Sequence, residues 1–455
     1  HHFVPTTINI LSDQGVISGS DGNLYGFGAN TGPLGFGNLF RLSLAANGRP
    51  VVGTPIANQT NSYGGVLNFT FAANTFTDPD AGQTLSYSAS GLPPEISFDG
   101  PTRTFSGTNI SVGNYSITVT ATDDGAPVLS TNDVFDLVVE KVPLLASAEN
   151  KIRGYGAANP PLTISYSGFV LGESEAVLGN PPLVGTGAAP GSPVGTYPIT
   201  LTGGSDAHYS LTLSNGLLSV TNVSLVVTAN DTNRPYGQTN PALTGVVSGV
   251  VNGDNITADF VTTATQASPP GAYPISPVFN DPNNRLPNYV VTTNLGVLTI
   301  DCAPTLTVTT TADSGYGSLR DCIANICPSG AVNFAVTGVI ALTSDHLPVD
   351  RSVNIVGPGA THLTLNGGGS WQLFNVTTGV VAISGLTLAN GSDSASFSVG
   401  AAVRNNANLT VRECVFTNNL SEASGGAIFN RPDGVLVVDR CLFVGNRAVG
   451  AFQGG

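Results

Sequence analysis

The stretch Tyr155-Gly156-Ala157-Ala158-Asn159-Pro160-Pro161-Leu162 returns 81 residues later as Tyr236-Gly237-Gln238-Thr239-Asn240-Pro241-Ala242-Leu243. The same offset carries Gly168, Val170 and Gly172 onto Gly249, Val251 and Gly253. Gly195-Thr196-Tyr197-Pro198-Ile199 then matches Gly271-Ala272-Tyr273-Pro274-Ile275 at an offset of 76, and Tyr209 matches Tyr289 at 80, which places a five-residue length change in the middle of the repeat. Glycine and proline punctuate short apolar runs in both copies. Each copy, 144–222 and 223–301, therefore reads as a small β-module met twice in a row.

Outward from this repeat, composition points the same way. The chain has 455 residues with 56 glycines and 30 prolines, close to a fifth of the total against about 12% in an ordinary domain. Charged residues make up only 10%, and the only lysines are Lys141 and Lys151. A helical bundle needs Lys and Glu at helical spacing and is excluded. Disorder is disfavoured because 41% hydrophobic residues can build cores. The expected class is all-β: tandem Ig-like β-sandwich modules followed by a right-handed parallel β-helix.

The net charge of −14 repels phosphate, so nucleic acid is not an expected partner, and neither is an anionic membrane surface. No run of about 18 apolar residues occurs, so no membrane span is expected in this chain. It begins without Met and shows no signal peptide, which reads as a processed or partial chain.

Upstream of the repeat, 51–143 alternates well in Tyr115-Ser116-Ile117-Thr118-Val119-Thr120-Ala121, with further strands expected at 66–71, 84–89, 103–106 and 134–139. The run Phe76-Thr77-Asp78-Pro79-Asp80, then Gly91-Leu92-Pro93, Phe105-Ser106-Gly107-Thr108 and Asp123-Asp124-Gly125, resembles cadherin-like, dystroglycan-type Ig-like domains. The Tyr-Gly and Gly-x-Tyr-Pro-Ile motifs of the tandem repeat resemble the mostly-β, glycine-rich MBG module of bacterial surface proteins. Residues 1–50 carry Asp21-Gly22-Asn23-Leu24-Tyr25-Gly26 and Asn38-Leu39-Phe40-Arg41-Leu42, a β-hairpin pattern resembling one copy of a propeller-like repeat.

Residues 302–455 change character. Leu409-Thr410-Val411-Arg412-Glu413-Cys414-Val415-Phe416-Thr417-Asn418-Asn419 aligns with Leu436-Val437-Val438-Asp439-Arg440-Cys441-Leu442-Phe443-Val444-Gly445-Asn446 at an offset of 27. A period of 25–28 residues with three short β-runs reads as stacked coils, with Phe, Leu, Ile and Val inside and Asn at left-handed corners. An amphipathic segment at 318–326 is expected to cap the open first coil. Gly317-Ser318-Leu319-Arg320 and Gly425-Gly426-Ala427-Ile428 resemble pectate-lyase-like β-helices and the polymorphic outer-membrane proteins. The pattern breaks off at 455 where another coil would begin, so further chain or another subunit is expected to cover that end.

Five cysteines occur: Cys302, Cys322, Cys327, Cys414 and Cys441. Cys414 and Cys441 are ladder equivalents and read as stacked buried thiols, with a disulfide as the alternative. The other three cluster where the β-helix begins; a disulfide with Cys302 as one partner would pin the cap. Their spacings do not suit zinc.

Asp78, Asp80, Asp123 and Asp124 lie in loops of one Ig-like domain, and paired loop carboxylates suit Ca2+. The cadherin-like resemblance implies the same ion; the alternative is turn-forming, solvated Asp. Arg412-Glu413 and Asp439-Arg440 fall at equivalent corners and read as a surface ion-pair ladder, with Arg404 nearby. No nucleophile motif and no His-based triad is present, so no catalytic residue is expected.

These readings converge on an extracellular structural or adhesive protein of the bacterial cell surface, possible as a fibre. Its partners would be copies of itself, neighbouring surface proteins or glycans. The alternative is a carbohydrate-active, lyase-like or carbohydrate-binding β-helix.

Overall fold

The computed structural model describes residues 17–18, 20, 24–28, 38–42, 46–393 and 399–450. Almost every element is a strand, as the composition requires. The chain forms two compact units. One comprises residues 1–153, 158–189 and 195–219, the other residues 154–157, 190–194 and 220–455.

In the first unit, Ile17–Ser18, Leu24–Gly28 and Asn38–Leu42 make a three-stranded antiparallel sheet. The rest of the N-terminal hairpin motif lies outside the described residues. The Ig-like segment packs a three-stranded sheet (Val66–Thr70, Thr104–Thr108, Ile96–Asp99) against a four-stranded one (Gln59–Ser62, Ser130–Glu140, Gly113–Thr122, Ser86–Ser90). On Gly113–Thr122 the buried residues are Ile117, Val119 and Ala121, every second position of the expected pattern. They meet an aromatic cluster in which Phe105 lies 4.5 Å from Phe98 and 5.5 Å from Phe135.

The strand Gln59–Ser62 has no apolar alternation to announce it. It forms because its backbone pairs in parallel with Ser130–Glu140 at the sheet edge. Ile96–Asp99 was likewise not expected and pairs with Thr104–Thr108.

The tandem repeat is a repeat of topology. In the first copy Val142–Ala148 sits between Ile164–Ser167, antiparallel, and Tyr209–Ser214, parallel. In the second, Val223–Ala229 sits between Gly245–Ser248 and Tyr289–Asn294 in the same senses. The Asn-Pro of the repeat motif now has a cause. Arg234 is buried, only 4% exposed, and has no carboxylate partner in its bonds. Its Nε donates to Asn240 Oδ1 at 2.7 Å and its Nη2 to the Thr265 carbonyl at 2.6 Å. Asn240 Nδ2 donates onward to the Ala264 carbonyl at 2.6 Å. Arg153, Asn159 and the Ala188 and Ala189 carbonyls repeat this clamp in the first copy. It ties the loop after the Tyr-Gly turn to the loop before the Gly-x-Tyr-Pro strand, satisfying a buried cation with neutral acceptors.

Within the second unit, residues from Ala303 onward coil through three parallel sheets. The first holds Ala303–Val308, Ile326–Phe334, Val353–Val356, Val380–Ser384, Asn408–Arg412 and Val435–Asp439. The second runs from Gly338–Ala341 to Leu442–Val444, and the third from Leu347–Val349 to Ile428–Asn430. Each strand pairs with its equivalent one coil later, Leu409 with Leu436 and Phe416 with Phe443. The two phenyl rings stack at 4.7 Å. Asn419 Nδ2 donates to Asn446 Oδ1 at 2.8 Å, the expected asparagine ladder.

The corners are left-handed at Asn390 and Asn418 (φ 50° and 53°), and also at Glu413 and Arg440 (φ 50° and 52°), which follow Gly385 one and two coils later. The expected cap is the helix Leu319–Asn325, whose Leu319, Cys322 and Ile323 close the first coil's core. Its Ser318 Oγ accepts from the Asp321 amide at 3.2 Å, an N-cap.

A disulfide joins Cys302 to Cys327 across 25 residues, clipping the first strand to the residues just after the helix. Closing a loop of that length is worth roughly 3 kcal/mol. Cys322, Cys414 and Cys441 are free thiols. Burial pushes the Cys414 thiol up to about 11. Cys414 and Cys441 each lie against the carbonyl two residues before them, the stacked-thiol arrangement.

Replacing Asn240 by Ala leaves the buried Arg234 Nε and the Ala264 carbonyl without their partner. The expected loss is roughly 2–3 kcal/mol, measured by urea unfolding, with Asn159→Ala giving a loss of similar size in the first copy.

Candidate functional site

The four aspartates suited to a cation lie where the Ig-like domain receives the chain before it. Asp123 is buried; its Oδ1 accepts from the amides of Gly125 (3.2 Å) and Leu129 (2.9 Å), and its Oδ2 from Asn47 Nδ2 (3.0 Å). Asp80 Oδ2 accepts from the Gly48 amide at 2.6 Å, and the Asp80 amide donates to Asp78 Oδ1 at 2.8 Å. Asp124 instead accepts from the Thr84 amide and hydroxyl, which hold its carboxyl below the usual range. Among the described residues no group of three or more His, Cys, Asp and Glu is placed to hold a metal ion. Calcium takes about six to eight oxygens. Asp80 and Asp123 anchor the incoming Asn47-Gly48 segment and Asp124 holds Thr84, while Asp78 Oδ2 is buried with no hydrogen-bond partner.

The charged corner of the β-helix is the expected ladder. Arg440 Nη2 lies 2.9 Å from Glu413 Oε1, and Arg412 Nε 3.8 Å from Asp439 Oδ2. All four side chains are well exposed, and such pairs contribute about 0–1 kcal/mol. Arg404 belongs to a different sheet, on Val403–Asn405. An open cavity of about 480 Å3 sits at the last described coil, lined by residues including Ile428, Leu436, Val438 and Phe443.

The most organised polar constellation is one the sequence reading did not single out. It recurs three times. Tyr63 donates to Glu173 Oε1 at 2.9 Å, while Tyr209, of the same module as Glu173, donates to Oε2 at 2.5 Å. Tyr155 donates to Asp254 Oδ2 at 3.0 Å, and Tyr289 to the same oxygen at 2.7 Å. Tyr236 donates to Asp321 at 2.7 Å and 2.8 Å, on the helix that caps the β-helix.

In each case the residue after the tyrosine is a glycine with positive φ: Gly64 (75°), Gly156 (82°) and Gly237 (81°). The own-module tyrosines also hold the acidic loops, accepting from the Val170 amide at 3.2 Å and the Val251 amide at 3.1 Å. Rings add contact: Tyr63 stacks on His208 at 4.1 Å, Tyr155 meets Tyr289 edge-on at 5.7 Å, and Tyr236 meets Tyr316 at 6.1 Å. Glu173 and Asp254 stand at the repeat's own offset of 81, directly after Gly172 and Gly253, and that signal was available in the sequence.

For Tyr63, Tyr209, Tyr236 and Tyr289, burial is the largest cause that raises the pH at which the phenol ionises, with the carboxylate bond adding to it. Tyr63 and Tyr289 are each pushed up to about 12, and Tyr236 is raised further. The protonated phenol is thus the form that the fold favours. Its contribution is complete below the ordinary tyrosine range near 10 and is lost as pH rises toward about 12. Unfolding free energy should therefore be flat from pH 7 to 9 and fall above pH ~10. Tyrosinate absorbance should show a class of phenols ionising late, and Tyr63→Phe and Tyr289→Phe should each shrink that class. At the Ig-like entrance, Asp123→Ala should lower the melting temperature equally with calcium and with chelator. A melting temperature that rises with calcium and falls with chelator in the native chain, but not in Asp78→Ala/Asp80→Ala, would instead restore a cation site.

Solved structures similar to this chain share low identity. The human desmocollin-1 ectodomain is 13% identical over 62% of this chain and 68% of that one, with a TM-score of 0.28. Mouse cadherin-23 EC22-24 is 13% identical over 56% of this chain and 99% of that one, with a TM-score of 0.25. A nucleoside hydrolase-related hypothetical protein from Saccharophagus degradans is 23% identical over 21% of this chain, with a TM-score of 0.18, and this chain spans only 26% of its length. Such TM-scores say nothing about function. No curated protein matches. The family models are more specific, because they fall on the modules already described. Residues 49–140 match the Putative Ig domain, and residues 144–219 and 225–299 match, in tandem, the MBG domain of YGX type, whose name carries the Tyr-Gly turn itself.

Proposed function

We propose that this chain is an extracellular structural or adhesive protein of the cell surface, acting through contact rather than turnover. The observation that carries this reading is the unbroken series of β-modules, one Ig-like and two MBG-like, whose polar groups are spent on holding modules to what precedes them. The Cys302–Cys327 disulfide supports an oxidising compartment outside the cytosol. No helix among the described residues is long and apolar enough to cross a membrane. The partners this reading implies are copies of the chain itself, neighbouring surface proteins or glycans. The charged groups of the β-helix pair with one another on its surface, and we assign none of them a catalytic role.

Sedimentation of the purified chain over a wide concentration range, together with binding to intact bacterial cells, tests this. The expected result is concentration-dependent larger species or saturable cell binding. A strict monomer that binds no cell would overturn it. Release of new reducing ends or unsaturated products from a panel of polysaccharides would move the assignment to the carbohydrate-active alternative.

A further inference from the structure

We propose that the Tyr-Gly turn and the carboxylate it enters are the two halves of one directional coupling. It is a docking surface whose partner is a Tyr-Gly turn presented by the preceding module, whatever that module's fold. This does not depend on where the protein works.

Three observations carry it. First, the same turn is supplied by two unrelated sequences. Tyr63-Gly64 lies in the Ig-like segment, while Tyr155-Gly156 and Tyr236-Gly237 lie in the MBG-like repeats. Second, the acceptor is also supplied by two unrelated folds. Glu173 and Asp254 sit in the loop after Gly-x-Val-x-Gly, whereas Asp321 sits in the first turn of a helix. Only the chemistry is common: a buried phenol donor, a carboxylate acceptor and a glycine beside them. Third, the glycine is needed for the approach as well as for the turn. A Cβ on Gly64 would lie 2.8 Å from Val170 Cγ2, and one on Gly156 would lie 2.7 Å from Val251 Cγ2 and 2.9 Å from its Cβ. Val170 and Val251 are equivalent residues of the two acidic loops, branched at Cβ and unable to swing away. At Gly237 the nearest atoms would be 3.7 Å and 3.8 Å away, ordinary contact.

That last difference separates docking from turn strain. Gly156 and Gly237 have almost the same backbone, φ 82° and 81°, so alanine strains the two turns alike. Only at Gly156 does it also push the acidic loop away. The test is amide hydrogen exchange on the full chain, read at the Asp254 amide, which donates to the Val251 carbonyl at 3.0 Å, and at the Glu173 amide, which donates to Val170 at the same distance.

Gly156→Ala should speed exchange at Asp254 at least tenfold, and Gly64→Ala should do the same at Glu173. Gly237→Ala should leave both within twofold of the parent. Tyr155→Phe and Asp254→Asn, milder changes, should each speed exchange at the 250–254 loop, and the double variant should be no faster than the faster single one. Unchanged exchange at Asp254 in Gly156→Ala would overturn the proposal, because the turn would then be a local feature. Full additivity of Tyr155→Phe and Asp254→Asn would overturn it as well.

Discussion

A phenol removed from water must still donate its proton, and a carboxylate beside it is the strongest acceptor the chain can offer. This constraint organises the chain from the Ig-like segment to the β-helix. Each acidic loop is shaped by a tyrosine of its own module, Tyr209 or Tyr289, which accepts from a loop amide and donates to the acid. The same carboxylate then receives the tyrosine of a Tyr-Gly turn, on its other oxygen at Glu173 and on the shared Oδ2 at Asp254. A charged acceptor makes these bonds stronger than those between neutral groups, and the surrounding rings exclude the water that would compete.

The β-helix meets a different constraint with the same economy of residue types. Parallel strands one coil apart place like on like, so the interior becomes columns of Leu, Val, Ile and Phe, and the corners become columns of left-handed backbone. Glycine fits such corners without strain, and asparagine tolerates them. Glu413 and Arg440 accept a cost of about 1–2 kcal/mol that Gly385 avoids at the equivalent place. Their ion pairs are too exposed to repay all of it. The helix Leu319–Asn325 and the Cys302–Cys327 disulfide close the first coil, and Asp321 on that helix also accepts Tyr236. One short segment therefore both ends a core and begins a junction.

Much of this was legible beforehand because periodicity records burial. Ile117, Val119 and Ala121 alternate since one face of their strand is covered, and Leu409 and Leu436 recur at 27 residues since coils stack. The helical cap was legible as an amphipathic segment and the stacked thiols from the coil period, though Cys441 is only half-buried, whereas the three clustered cysteines left the pairing open and the structure joins Cys302 to Cys327. Gln59–Ser62 was illegible, because an edge strand held by backbone bonds needs no apolar residue. The aspartates at 78, 80, 123 and 124 show a related limit. Acid-rich loops look alike in sequence whether their oxygens accept from donors such as Asn47 and Gly48 or stay unpartnered, as Asp78 Oδ2 does.

The sequence by itself determined the class of fold, the tandem repeat and the coil period, since each is written as a spacing that survives without coordinates. The tertiary structure alone decided what the conserved-looking motif letters do within the repeat: the Asn of Asn-Pro satisfies a buried Arg, and the Tyr of Tyr-Gly reaches a carboxylate about 85 to 110 residues away. A bond across that separation leaves no period to read, because it depends on two surfaces being brought together in three dimensions. The residues on each side of a junction recur with the repeat, but which of them pair is not written in that spacing.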